Sequence, residues 1–280
     1  EESMPEAPEL QVVKEVLERK LPGQRVEQAR LLRPTVLRSL AAQDFGADIV
    51  GREFTRVSRH GKSLTLTLSP DRLLVLFPML TGALQYCSPS GRVAKITCLV
   101  LGLSGGMELR YLDDRQMGMV YYISPEQAGE VGRLEVSEQA PDVLDQPLSF
   151  QEFQERLKRF HGEIKGILTR GQLVAGVGNA YADEVLFQAR IFPFRKRRTL
   201  TEEELRRLYD AVYWVPRQAV EVLRELMGEN IHQKPREFLK VHGKGGQPCP
   251  VCGGRITAIT ANQRVTNYCR RCQPGFLIRT

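Results

Sequence analysis

No apolar run in the 280-residue chain approaches the length of a membrane span, and no signal peptide opens it. The first absence excludes a spanning helix. Together they predict a soluble, intracellular protein with no membrane partner. Acidic residues fall short of basic ones, 33 Asp and Glu against 40 Lys and Arg, for a net charge of +7 and an isoelectric point near 9.2. That balance favours a polyanionic partner. Cationic residues gather in Arg195-Lys196-Arg197-Arg198 and in the C-terminal third. The length suits about two domains with a sizeable core.

Cysteine is sparse, at six residues, and its placement is informative. Cys249 and Cys252 form one C-x2-C pair, and Cys269 and Cys272 form a second. Two thiolates at such a turn reach one ion, and two turns complete the tetrahedron of soft ligands that a structural zinc requires. Two disulfides are the competing reading, but nothing suggests export. Between the pairs, residues 255–259 alternate as a strand and 265–268 read as the return strand. The product is a hairpin clasped at its base by one zinc per chain, with Gln263 and Arg264 at its tip and Arg270 and Arg271 at its base. Cations at both ends suit contact with an anion. Cys87 and Cys98 read as small buried hydrophobes.

The chain opens with a helix. Pro8 stands near its start, Glu6 and Glu9 lie at the positive end of its dipole, and Leu10, Val13, Val16 and Leu17 share one face. Residues 63–69 alternate strictly. Short apolar runs at 73–77, 96–101, 107–112 and 119–123 complete a set of strands, which predicts a β-sandwich or flattened barrel. Lys62, in the turn before the alternating strand, reads by pattern alone as a solvated loop cation.

Residues 126–148 lack periodicity and read as a linker. Two capping boxes, Ser149 with Glu152 and Thr201 with Glu204, open helices, and Pro216 is expected to kink or end the second. Between them lies a turn containing Gly176 and Gly178, with a helix starting near Tyr181. Free amides there can hold an anion, though a plain joint between helices fits the pattern as well. The expected organisation is α+β in two domains: an N-terminal β-sandwich with a leading helix over 1–125, a linker over 126–148, a helical domain over 149–246 and a zinc-bound β-hairpin over 247–280.

Three stretches together resemble the formamidopyrimidine-DNA glycosylase / endonuclease VIII family. They are Met4-Pro5-Glu6-Ala7-Pro8-Glu9, residues 164–187 (IKGILTRGQLVAGVGNAYADEVLF) and the final QRVTNYCRRCQ. The resemblance implies a helix–two-turns–helix in the C-terminal domain and base excision on damaged double-stranded DNA, carried out by a monomer with cytoplasmic or nucleoid localisation of bacterial type. It makes Pro5 the nucleophile, through its free amine, and Glu6 the acid. Lys62 matches the family's catalytic lysine, which contacts the DNA backbone near the lesion, and Arg264 is counted with the catalytic residues. Gly178, Asn179, Lys165 and Arg264 fall on its DNA-binding residues, with Arg264 gripping the phosphates that flank the flipped nucleotide. Leu80, Gln116 and Met117 match the side chains that fill the hole left by the flipped base.

Several departures from the family pattern bear on function. Residues 1–4 precede Pro5, and a peptide bond on its nitrogen forbids an iminium. The expectation is therefore an active chain that begins at Pro5 once Met4 is removed. Leu80 replaces a common methionine, and Gln116 and Met117 stand where the purine-repair branch usually has arginine and phenylalanine. Residues 228–237 are too short for the loop that covers 8-oxoguanine. These changes lean towards oxidised pyrimidines or ring-opened purines. A non-catalytic, lesion-binding protein of the same fold is the alternative.

Overall fold

The computed structural model describes residues 4–131, 140–261 and 264–275. Gln263 lies outside the described residues. By its contacts the chain divides into two units: Glu2–Val136 with Leu223–Pro235, and Ser137–Val222 with Arg236–Thr280.

The first unit opens with helix α1 (Ala7–Lys20), capped by Glu6, whose backbone amide donates to Glu9 Oε2 at 2.9 Å. Leu10, Val13, Val16 and Leu17 are buried along one face. This face packs on β3 (Phe54–His60) and β4 (Ser63–Leu68). The expected sandwich strands form two sheets. One is antiparallel, in the order β1 (Val26–Leu31), β7 (Thr97–Leu103), β8 (Glu108–Leu112), β6 (Ala83–Cys87). The other runs β2 (Leu37–Ser39), β9 (Met119–Ile123), β5 (Arg72–Phe77), β4, β3, with only β2 against β9 parallel. Strand β5 is covered on both faces. Val75 and Phe77 pack with Ile123 and Val131, while Leu74 and Leu76 are buried on the other side. That is why residues 73–77 read as an unbroken apolar run.

A short helix, α2 (Phe45–Ile49), presents Asp48 to three partners. Tyr122 donates its hydroxyl at 2.5 Å, and the guanidiniums of Arg52 and Arg72 lie at 3.0 Å.

In the second unit, α3 (Phe150–Lys158) begins with the reciprocal Ser149–Glu152 capping box. α4 (Ile164–Thr169) and α5 (Asn179–Ala189) flank the glycine turn. α6 (Glu202–Met227) follows, and the chain then reaches the hairpin of β10 (Ile256–Ala261) and β11 (Arg264–Cys269).

Of the two outcomes expected at Pro216, the structure excludes a stop: α6 continues through it to Met227. A proline inside a helix removes one hydrogen bond and crowds the preceding turn, at a cost of about 3 kcal/mol. Against that, Leu208, Val212, Ala219, Leu223 and Met227 are all buried on either side of it, and each large apolar side chain contributes about 1.5–3 kcal/mol. From Leu223 onward the helix belongs by its contacts to the first unit. The boundary between the two units falls within the 126–148 stretch read as a linker. Val131 is buried, and the 141–143 segment exchanges backbone bonds with Ala175, Val143 N donating to Ala175 O and Ala175 N to Pro141 O.

The Asp48 cluster generates an acid-stability prediction. Burial works against the charged carboxylate, but the Tyr122, Arg52 and Arg72 hydrogen bonds outweigh it and hold the group at about 2. Because the folded-state value lies below the unfolded one, the stabilisation is complete above about pH 4 and is lost as pH falls through about 2. At this partly exposed site it amounts to about 1 kcal/mol after solvent screening. Acid titration followed by circular dichroism should therefore show that the Asp48→Asn chain loses about 1 kcal/mol less stability between about pH 4 and 2 than the parent.

Candidate active site and nucleic-acid interface

Pro5 and Glu6 immediately precede α1, and both are buried. Pro5 lines a cavity of about 20 Å³ together with Glu9, Leu10, Leu64, Pro78, Gly82, Gln233 and Lys234, enough room for about one water. The Glu9 carboxylate is committed to the Glu6 amide, which fixes the direction of the chain at Pro5. Lys62 is half-buried in the β3–β4 turn, two residues from Leu64, and does not itself line this cavity. Arg59 ties that turn to α1: its guanidinium donates to Gln11 Oε1 at 2.9 Å and to the Gly61 carbonyl at 3.0 Å.

Sequence reasoning missed Arg59, Gln233 and Lys234. The last two lie some 228 positions from Pro5 in the chain, and no local pattern marks them. Lys234 Nζ also donates to the Leu80 carbonyl at 3.4 Å.

The three void-filling candidates are brought together by a residue the sequence did not single out. Leu80 lies in the β5–β6 turn, and Gln116 and Met117 lie exposed in the β8–β9 turn. Asp113, fully buried, joins the two turns. Its Oδ1 accepts from the Thr81 hydroxyl and from Gln116 N at 3.1 Å, and its Oδ2 accepts from Gly118 N at 2.7 Å. Arg115 N donates in turn to Thr81 Oγ1 at 3.2 Å. Met79 and Gln116 adopt left-handed backbone, with φ of +52° and +53°. Such conformations cost non-glycine residues about 1 kcal/mol each and persist only when their surroundings impose them. Gly82 and Gly118 admit no side chain, because an added Cβ would lie 2.3 Å and 1.8 Å from the Tyr111 hydroxyl.

In the other unit, the residues assigned to DNA hold the hairpin. Gly178 caps α5, after the turn in which Gly176 has φ +101°. The Asn179 amide donates to the Val265 carbonyl at 2.9 Å, and its Oδ1 is buried with no partner among the described residues. Lys165 is 7% exposed, and its ammonium sits 2.7 Å from Asp183 and 2.8 Å from Thr266 Oγ1. Paired in this way, the ammonium ties α4 to the hairpin. Asp183 also accepts from Asn267 N at 3.0 Å and lies 2.9 Å from His242 Nδ1. Its neighbour Glu184 receives the backbone amides of Lys240, Val241 and His242 at 2.8–2.9 Å. Arg264, exposed at the start of β11, thus stands one residue from the carbonyl held by Asn179.

The sulfurs of Cys249, Cys252, Cys269 and Cys272 all lie within 4.8 Å of one another, and none forms a disulfide. The Cys249–Cys272 and Cys252–Cys269 separations are 3.8 and 3.4 Å. Tetrahedral zinc–thiolate bonds of about 2.3 Å imply about 3.8 Å between sulfurs, so the four residues fit one structural zinc. Phe187, Val241 and Ile256 pack against these cysteines.

Family models match nearly the whole chain: "Formamidopyrimidine-DNA glycosylase N-terminal domain" over residues 4–120, "Formamidopyrimidine-DNA glycosylase H2TH domain" over 139–229, and "Zinc finger found in FPG and IleRS" over 246–275. The formamidopyrimidine-DNA glycosylase of Pelotomaculum thermopropionicum is 34% identical over 96% of this chain and 99% of its own. That of Symbiobacterium thermophilum is 36% identical over 97% of this chain and 90% of its own. Lactococcus lactis Fpg in complex with abasic-site DNA aligns at a TM-score of 0.86 and 26% identity, covering 96% of this chain and all of that one. Its complex with Fapy-dG DNA aligns at 0.85 and 27%.

The Asp113 frame yields a prediction that does not depend on chemistry. Asp113→Ala leaves two turn amides without their acceptor, one of them on buried Gly118, and should cost about 3 kcal/mol. Thermal melting should register this, and hydrogen exchange should show the loss of protection localised to the amides of Gln116 and Gly118.

Proposed function

The chain belongs to the formamidopyrimidine-DNA glycosylase family, and from that premise we propose that it excises oxidised bases from duplex DNA and cleaves the resulting abasic site. The observation that carries this reading is the placement of Pro5, which lines a small cavity at the start of α1 beside buried Glu6. The Pro5 amine is the nucleophile when it is the chain's N-terminus, because an α-amine near pKa 8 is far more often unprotonated at neutral pH than a lysine near 10.4. It attacks C1′ of the damaged nucleotide. The glycosidic bond breaks, the sugar ring opens with a proton from Glu6, and an iminium links protein and DNA. Loss of a C2′ proton then expels the 3′ phosphate, and a second elimination expels the 5′ phosphate.

Lys62 contacts the backbone near the lesion. Leu80, Gln116 and Met117 fill the space left by the extruded nucleotide, supported by the Asp113 frame. Gly178, Asn179 and Arg264 hold the flanking phosphates. What supports this grouping is the bond from Asn179 to the Val265 carbonyl, next to Arg264. The protein works as a monomer with one structural zinc, and its place is the cytoplasm or nucleoid. The lesions it favours are oxidised pyrimidines or ring-opened purines. Support for that comes from Gln116, which offers a neutral amide to the orphaned base, and from the short 228–237 segment. Lactococcus lactis Fpg has been captured on Fapy-dG DNA.

Borohydride trapping on abasic-site duplex tests the mechanism. The chain starting at Pro5 should give a covalent adduct, and the chain retaining residues 1–4 should give none. Equal trapping of both would transfer the nucleophile to a lysine, Lys62 first. Firm lesion binding without an adduct from either would leave a lesion-binding protein. Glu6→Gln in the Pro5-start chain should abolish base release while DNA affinity is largely kept.

Arg264→Ala should weaken binding to abasic-site DNA by roughly tenfold or more, the scale of a lost charge-assisted phosphate contact. Zinc content measured on the same sample should stay at one per chain. Loss of zinc along with affinity would make Arg264 a structural residue.

A further inference from the structure

The basic run Arg195-Lys196-Arg197-Arg198 has no part in the reading above. The turns on either side of it build a concave surface of about 290 Å³, open to solvent and lined by His161, Gly162, Lys196, Arg197 and Arg198. No acidic side chain lines it.

Its two walls are joined by backbone. Ile164 N donates to Arg195 O at 2.9 Å, Arg197 N to Gly162 O at 2.9 Å, and Glu163 and Lys196 form an antiparallel bridge. Gly162 makes the turn possible, with φ +106°. Arg197 is held in place, its guanidinium donating to Phe160 O at 3.1 Å and Lys158 O at 3.4 Å. Neighbouring acids are already engaged: Glu204 lies 2.7 Å from Arg195, and Glu155 lies 2.6 Å from Lys158. Exposed Glu163 is the acidic residue next to the rim. Lys196 and Arg198 are exposed, and neither takes part in an ion pair among the described residues.

Cations held this close together repel one another, and water only partly screens them. A run of phosphates relieves that repulsion, and guanidinium forks suit phosphate oxygens. Gly178 and Asn179 of the glycine turn do not line it.

We propose that this surface is a second phosphodiester site, which binds undamaged nucleic-acid backbone independently of the lesion-handling residues. Its contacts are ionic and sequence-independent, so it adds affinity for long DNA and releases it as salt rises. The inference does not require the glycosylase reading, because its test reads binding and no chemistry.

The test is the double variant K196E/R198E in the full zinc-loaded chain, bound to an undamaged duplex of several helical turns across a salt series. Affinity should fall at least tenfold at low salt, and the slope of log affinity against log salt should become shallower by about 2. The charge-keeping variant K196R/R198K should retain both. Affinity for a lesion duplex of roughly one helical turn should not change. An unchanged slope on the long duplex would overturn the proposal. So would an equal loss on the short lesion duplex, because the patch would then belong to the lesion-binding surface. Inorganic phosphate that abolishes the difference at constant ionic strength would show a site for free anions instead of a nucleic-acid backbone.

Discussion

A buried charge must find its complement or the fold does not pay for it, and in this protein the carboxylate of Asp183 imposes that condition. It is completely enclosed. It is satisfied by Lys165 from α4, by His242 from the segment before the finger, and by the backbone and side chain of Asn267 on β11. Three separate stretches of chain therefore converge on one helix position. Removing Lys165 would strand the Asp183 carboxylate in a low-dielectric interior, a far larger loss than that of an exposed pair. Glu184, the next residue, repeats the device with three consecutive backbone amides. The zinc closes the hairpin upon itself, but these two carboxylates determine where it stands against α5.

Asp113 plays the equivalent part in the N-terminal unit, with a different purpose. Its oxygens are divided between two turns, at Thr81 and at Gln116 and Gly118. Each turn holds one residue in left-handed backbone, and each needs a glycine where the Tyr111 ring comes close. Exposed side chains such as Met117 can then be presented on a rigid base. A flexible wedge would lose much of its binding energy to ordering. Placing strain in a short turn and compensating it from a buried carboxylate reconciles exposure with rigidity.

Lys165 and Asn179 both lie in the stretch that resembles the helix–two-turns–helix. The structure uses the ammonium of one and the amide of the other to hold the strand that begins with Arg264. A part in positioning the finger thus accompanies the phosphate contact proposed for Asn179. The exposed guanidinium of Arg264 keeps its field open to a ligand, whereas the Lys165 ammonium is enclosed and paired at 2.7 Å to a carboxylate.

Much of this protein was legible in the residues. The alternation over 63–69 marked β4, the two capping boxes marked the starts of α3 and α6, and the paired C-x2-C turns marked a zinc site whose sulfurs do lie together. These signals are local, since each records a periodicity or a reach of a few residues. The family was legible too, from the order of three motifs. Pro216 did not stop its helix because the local cost of a proline was outweighed by burial along the whole helix. Asp113, Arg59, Gln233 and Lys234 carried no local mark, since their roles depend on partners reached only after folding. Sequence by itself determined which elements form and which metal they hold, because propensity, pattern and ligand spacing act over a few residues. Tertiary structure alone decided which charges are enclosed, which turns are locked together and which cations stay open to a polyanion, because desolvation depends on every neighbour that the fold supplies.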